Sequence, residues 1–362
     1  MFLQSKLDLL CQQIKVEKSM NRLTFIGSIQ LNSPSTGGGV QTKNQHFLRY
    51  ILSKNVDCRV FDTWKKKSVL SLIMSLIYIV RTKRSEPIIL SISTRGAYYI
   101  AKILNLTHLK RRIFYWVAGG DLAIDLKNVS LKNRRVYDVF TKVVVQCNYL
   151  KRDLEELSIT NCAMVPNFKP VIFKPTIDKA IFEKIRFVYF SRVLIQKGIE
   201  EIIQAFKSLD NKNICLDIYG TLVPPYDEGY FKDFYYLNIN YKGFLDVSVE
   251  DGYKQLSEYD VLLFPTYFKG EGFPGTLLDA FIAGVPVIAS DFHANGEVLV
   301  DGYNGLLIPP KDAVALSTAM NRLISDIDLR KKLRKNAILT AREYDVEMIL
   351  DEAFARLKIF ED

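Results

Sequence analysis

A 362-residue chain that is 48% hydrophobic can bury two α/β cores, and its longest apolar run, Val69–Val80, is shorter than the roughly 18–20 residues that cross a bilayer, so no membrane-spanning helix is expected. Five cysteines (Cys11, Cys58, Cys147, Cys162, Cys215) without CxxC spacing, and three histidines (His46, His108, His293) far apart in sequence, argue against a disulfide framework, a zinc site or a His-based metal cage and for the reducing cytosol. The net charge of +9 is unevenly divided: residues 1–167 hold 26 Lys+Arg against 11 Asp+Glu and residues 168–362 hold 23 against 29, so the first half calls for an anionic partner such as a membrane surface, nucleic acid or a phosphorylated substrate.

The opening MFLQSKLDLLCQQIKVEKSM is mixed and charged with no small-residue cleavage site, so no secretory signal is expected. Residues 1–19 read as an accessory helix or an upstream-start extension. Leu23–Ser28 is an apolar strand, the loop LNSPSTGGG follows, and Val40–Ser53 reads as a helix. Then come strand Cys58–Asp62, helix Lys66–Arg81, strand Pro87–Ile92, helix Ala97–Leu104, strand Ile113–Val117, strand Val143–Gln146 and a helix near Tyr149–Leu157. Strands alternating with helices predict a parallel sheet covered on both faces. The run PNFKPVIFKPTIDKAIFEKI breaks this rhythm with three prolines, and residues 168–185 within it read as a linker.

The second half repeats the alternation: strand Phe187–Ser191, helix Ile199–Ser208, strands Cys215–Gly220 and Asn240–Phe244, helix Val249–Ser257, strand Val261–Pro265, strands Pro286–Ser290 and Gly305–Ile308, and helices within 312–343. The last stretch, Val346–Phe360, is a strongly periodic amphipathic helix. The division expected is a first domain over 1–167, the linker at 168–185, a second domain over 186–344 and a terminal helix over 345–362. Ligands of two doubly wound domains lie at the carboxyl ends of their strands.

The densest chemistry lies in KGEGFPGTLLDAFIAGVPVIASD (269–291). Glu271 sits in a Gly/Pro-rich turn, Asp279 lies eight positions on inside a helix, and Gly284 and Pro286 end that helix before the strand PVIAS. A bare helix N-terminus beside an acid suits a sugar attached to a phosphate: loop amides and the helix dipole meet the phosphate, and carboxylates accept from sugar hydroxyls. In FVYFSRVLIQKGIEEIIQAF, Arg192 ends a strand and Lys197 precedes a helix. A forked guanidinium and a compact ammonium suit a diphosphate and the charge it develops on leaving.

These two segments resemble the retaining GT-B-fold glycosyltransferases of the family-four type, the glycosyl transferases group 1, with their EGFGxxxxEAxAxGxPVIA and GRLxxxKGxxxLIxAF patterns. Here Asp279 replaces the second Glu, Pro274 the Gly after Phe, and Ser191 the Gly before Arg. The resemblance implies two Rossmann-like doubly wound domains facing a central cleft, with the C-terminal helix crossing back to the first. It implies that Arg192 and Lys197 hold the donor diphosphate, Glu271 the donor sugar hydroxyls and Asp279 the ribose hydroxyls. The loop Gly272, Phe273, Pro274, Gly275 and Thr276 would face phosphate or sugar through its amides, although Pro274 has no N–H to offer. Gly220 and Phe244 join the donor-binding set at the ends of their strands, with the base met by backbone around Tyr241–Phe244. The Gly37–Gly39 run, which alone reads either as a loop that a ligand approaches closely or as a plain flexible turn, would by the resemblance close over donor phosphate and acceptor, with Gly38 and Gly39 in contact.

FYWVAGGDLA (114–123) carries no His where many relatives have one; Asp121 there either contacts the acceptor hydroxyl or donor sugar, as a catalytic residue, or caps the next helix. Asp326-Ile327-Asp328 has DxD spacing but falls between surface helices and reads as a cap. His293 reads as a loop residue near the cleft rim. KKKSVLSLIMSLIYIVRTKR (65–84) reads first as a core helix with solvated ends and second as a seat on an anionic membrane.

The expected activity is retaining transfer of a hexose-type sugar from a UDP- or GDP-linked donor to a hydroxyl acceptor, a lipid-linked saccharide in cell-surface polysaccharide assembly. The expected setting is the cytoplasm, peripheral on the inner face of the cell membrane. No cofactor, metal or nucleic acid is expected. The rival readings are a nucleotide-sugar epimerase of the same fold and a non-catalytic basic membrane- or nucleic-acid-binding protein. The phosphorylases of this architecture are disfavoured by chain length and by the lack of a pyridoxal-bearing lysine segment.

Overall fold

The computed structural model describes residues 21–30, 39–64, 68–177, 184–209 and 213–361. The N-terminal extension expected at 1–19, Gly37 and Gly38, Lys65–Lys67 and residues 178–183 of the linker lie outside the described residues.

The first domain runs β1 (Arg22–Gly27), α1 (Gly39–Ser53), β2 (Asp57–Asp62), α2 (Ser68–Arg81), β3 (Ile88–Ser91), α3 (Thr94–Leu106), β4 (Ile113–Trp116), α4 (Asp121–Leu126), α5 (Leu131–Arg134), β5 (Lys142–Val145), α6 (Asn148–Glu156) and β6 (Cys162–Met164). Its strands form one parallel sheet in the order β2-β1-β3-β4-β5-β6. The strands β3 and β4 are buried along their whole length, as apolar strands between two helical layers must be. The short β6 was not expected; three residues between two turns carry too little periodicity to read.

The second domain runs β7 (Ile185–Phe190), α7 (Ile199–Ser208), β8 (Ile214–Tyr219), α8 (Glu228–Lys232), β9 (Ile239–Gly243), α9 (Glu250–Ser257), β10 (Val261–Phe264), α10 (Gly275–Ile282), β11 (Val287–Ser290), α11 (Asn295–Val298), β12 (Gly305–Ile308), α12 (Ala313–Ser325) and α13 (Ile327–Glu343). Its parallel sheet has the order β12-β11-β10-β7-β8-β9. Strand order reverses between β7 and β10, and the crevice beyond such a reversal is where doubly wound sheets receive ligands. Asp326 accepts from the Leu329 amide at 2.8 Å and caps α13, so the DxD spacing here is helix chemistry.

The terminal helix α14 (Val346–Arg356) returns to the first domain. Its Ile349, Leu350, Ala353 and Phe354 are buried in one cluster with Phe47, Leu48 and Ile51 of α1. The Tyr50 hydroxyl donates to Asp351 Oδ1 at 2.7 Å, and Arg356 Nη2 donates to the Met164 carbonyl at 2.6 Å. Two doubly wound domains facing a cleft, with the last helix crossing back, make this a GT-B fold.

Candidate active site

The turn after β7 presents the first functional pair. The Tyr189 hydroxyl donates to the Arg192 carbonyl at 2.7 Å and holds the strand exit, while the Arg192 guanidinium is exposed, 5.6 Å from the Phe268 ring centroid. Lys197 ends a 3-10 turn at Ile195–Lys197. The following Gly198 has φ +82°, and a Cβ there would lie 2.7 Å from Pro265 Cγ, so only glycine lets this turn press on the end of β10. That closeness buries Lys197, whose ammonium sits 5.2 Å from the Phe264 ring and donates to Glu271 Oε2.

The Glu271 loop is braced from three sides. Its amide donates to the Phe268 carbonyl at 2.9 Å, and Thr266 Oγ1 lies 3.3 Å from the carboxylate. Nδ1 of His293, stacked between Phe292 and Tyr149, lies 3.4 Å from the Glu271 carbonyl. On the first-domain side Gly120 abuts the same carbonyl: a Cβ there would lie 2.8 Å from Glu271 O, so two glycine-rich loops meet across the domains. Pro274 then caps α10 without a side-chain bond, leaving the positive end of the helix bare, and Gly275 and Thr276 of its first turn line the cleft.

Asp279 is buried, and both its oxygens accept from Lys169 Nζ at 2.5 Å, with the Tyr253 hydroxyl donating to Oδ1 at 2.9 Å. Burial pushes its carboxyl up, and the Lys169 charge and the two hydrogen-bonding partners pull it back. The ribose role expected of Asp279 therefore has to share a carboxylate already held by an ammonium. Neither Lys169, in the stretch read as a linker, nor Tyr253, on α9, was singled out from sequence. A buried acid demands a partner, but nothing local says which of 49 basic residues supplies it.

A cleft of about 530 Å³ joins these groups, lined by Arg192, Lys197, Glu271, Gly272, Phe273, Gly275, Thr276 and Asp279, by Gly220 and Phe244 where β8 and β9 end, and by Gly39 at the start of α1. Gly220, at φ +144°, lets the end of β8 pass against the Ser191 carbonyl. Two of the expected residues stand off the lining. Pro274 is buried at the head of α10. Asp121 neither lines the cleft nor forms a side-chain cap. It opens α4 with its carboxylate against Gly270, raised by burial and by Asp125 and lowered by Arg192. The first domain instead presents Lys43 and His46 of α1, which sequence reading passed over although both follow the glycine run.

Residues 175–340 match the family model of the glycosyl transferases group 1, so the second domain is a domain of that group. Among curated proteins, the chain is 30% identical over 152 residues to the capsular polysaccharide biosynthesis glycosyltransferase CapM of Staphylococcus aureus, covering 41% of this chain and 39% of that one. It is 34% identical over 102 residues, 28% of this chain and 26% of the other, to the N,N'-diacetylbacillosaminyl-diphospho-undecaprenol alpha-1,3-N-acetylgalactosaminyltransferase of Campylobacter jejuni. The chain thus spans less than half the length of these curated relatives. Among solved structures it resembles Anabaena Alr3699/HepE in complex with UDP, with a TM-score of 0.70 and 14% identity over 93% of this chain and 99% of that one, a likeness of fold.

Proposed function

We propose that this protein is a retaining glycosyltransferase that moves a hexose-type sugar from a nucleotide diphosphate sugar to a hydroxyl of a saccharide acceptor. The observation that carries the reading is the meeting of Arg192, the Lys197–Glu271 pair and the bare start of α10 on one cleft wall. Arg192, Lys197 and the Gly275 and Thr276 amides receive the diphosphate, and Glu271, held in place by Lys197, accepts from the sugar hydroxyls. The bond from the sugar's anomeric carbon to the diphosphate oxygen breaks, and the acceptor oxygen bonds that carbon on the same face. The acceptor proton passes to the departing phosphate oxygen, whose charge Arg192 and Lys197 stabilise.

The activities for which those relatives are named, capsular polysaccharide synthesis and transfer to a diphospho-undecaprenol acceptor, support a lipid-linked saccharide as acceptor here. The outer face of α2 supports a membrane seat: Leu70, Ile73, Met74, Ile77 and Val80 recur at helical spacing and are exposed. Arg81, Lys83 and Arg84 follow directly in sequence. Among the described residues no helix is long and apolar enough to cross a membrane, and the contact proposed is an interfacial one. Vesicles of one-quarter anionic lipid bind the wild type, and Met74→Glu with Ile77→Glu lowers that binding about tenfold or more; equal binding by both proteins defeats the membrane seat.

The test of the activity is thermal stabilisation by UDP, GDP and their hexose conjugates, followed by product analysis with acceptor present and absent. Stabilisation follows mass action, about 2.7 kcal/mol at a hundredfold excess over Kd. No response to any nucleoside diphosphate sinks the reading, and sugar inversion without acceptor turns it into an epimerase.

A further inference from the structure

Lys43 and His46 lie one helical turn apart on α1 and both line the cleft. Lys43 is 6% exposed; its Nζ donates to the Val117 carbonyl at 3.1 Å, a carbonyl that also accepts from Gln146 Nε2 at 2.9 Å. Among the described residues no carboxylate pairs with this ammonium, and the loop LNSPSTGG ahead of Gly39 contains no acid that could do so. Burial pulls the Lys43 pKa down to about 7. His46 adds a second unspent group, for its Nδ1 is buried with no hydrogen-bond partner among the described residues. Burial, then the charges of Lys169 and Arg49, keep that ring neutral.

A buried charge without a partner is costly, as is a buried polar atom without a hydrogen bond. The other ammoniums lining the cleft are matched, buried Lys197 by Glu271 and part-buried Lys169 by Asp279. The second-domain wall has its own groups for a diphosphate in Arg192, Lys197 and the start of α10. Lys43 stands on the opposite wall, beside the carbonyl that ends β4. We infer that Lys43, with His46 beside it, forms an anion subsite on the first-domain wall that receives a carboxylate or phosphate carried by the acceptor saccharide. The inference rests on the transferase reading and narrows its acceptor to an acidic or phosphorylated sugar chain.

The experiment is calorimetry on the full chain saturated with UDP or GDP, titrated separately with glucuronate, glucose 1-phosphate and glucose. The wild type binds at least one of the two anionic sugars about tenfold or more tightly than glucose, within the range of one charge-assisted bond; which of them wins tells carboxylate from phosphate. Lys43→Met abolishes that preference, and so does Lys43→Gln, which keeps a donor for the Val117 carbonyl and controls for a merely structural role. Nucleotide affinity in both variants stays within about twofold of wild type, which also shows that they fold. A wild type without preference between charged and neutral sugars overturns the inference while nucleotide binding leaves the transferase reading standing. Lys43 variants that lose nucleotide affinity about tenfold overturn it too, placing Lys43 on the donor. Absence of nucleoside diphosphate binding in the wild type overturns the transferase reading and the inference with it.

Discussion

The two walls of the cleft are built on the same parallel-sheet plan and treat charge differently. On the second-domain wall, Lys197 sits on Glu271, and Asp279 is matched by Lys169 reaching in from the segment between the domains. On the first-domain wall Lys43 has a backbone carbonyl and His46 Nδ1 has nothing among the described residues. The halves of the chain show the same contrast at large scale, +15 for residues 1–167 against −6 for 168–362. A wall of matched pairs is a rigid, preorganised grip, whereas a wall with an unmatched cation keeps its charge for something that arrives.

The largest effect expected on the matched wall comes from Lys169→Met. It leaves Asp279 buried with Tyr253 as its remaining side-chain partner, and removal of one member of a buried pair costs about 3–5 kcal/mol. Urea unfolding measures this, and the double variant Lys169→Met with Asp279→Leu recovers most of the loss. If the single variant unfolds at the wild-type midpoint, the pair is not what holds α10 to the interdomain segment. Glu271→Gln, which keeps shape and removes the charge facing Lys197, comes next. Turnover at saturating donor is expected to drop roughly 10²–10³-fold, the range for one preorganised group at the reacting centre, and the unfolding midpoint falls too, because buried Lys197 keeps its charge and loses its counter-ion. Turnover near wild type would mean that Glu271 is not at the reacting sugar.

The matched wall was the legible one, for a physical reason. Glu271, the turn, α10 and the β11 strand are local in sequence, and Gly284 with φ +68° and Pro286 punctuate them as helix ends do. Arg192 and Lys197 likewise announce themselves at a strand–helix corner. What could not be read were contacts across long separations. Lys169 and Asp279 are 110 residues apart, and the Gly120–Glu271 approach joins two loops from different domains. Asp121 was offered either as a contact to acceptor or donor sugar or as a helix cap; it makes no side-chain cap, and its carboxylate lies against Gly270, a residue of the cleft lining that is distant from it in sequence. Lys43 and His46 were passed over since a Lys and a His on an amphipathic helix ordinarily face water, and only the docking of α14 and the cleft wall around α1 reveals that they do not.

The unmatched wall makes the smallest and most specific prediction. Lys43 carries a pKa of about 7 in the folded protein against the ordinary 10.5. Between those values the unfolded chain binds the extra proton, so raising the pH favours the folded state, by at most about 1.4 kcal/mol per pH unit. Below pH 7 the ammonium is charged in both states and its burial penalty is present in full. Lys43→Met removes both the penalty and the slope. Unfolding free energies of wild type and Lys43→Met, measured in urea at pH 7, 8 and 9, are therefore expected to differ most at pH 7, with the variant the more stable, and to converge by about 2–3 kcal/mol toward pH 9. A constant difference across that range would mean that Lys43 keeps its ordinary proton in the fold, as a matched cation would, and the contrast between the two walls would then be one of geometry and not of charge.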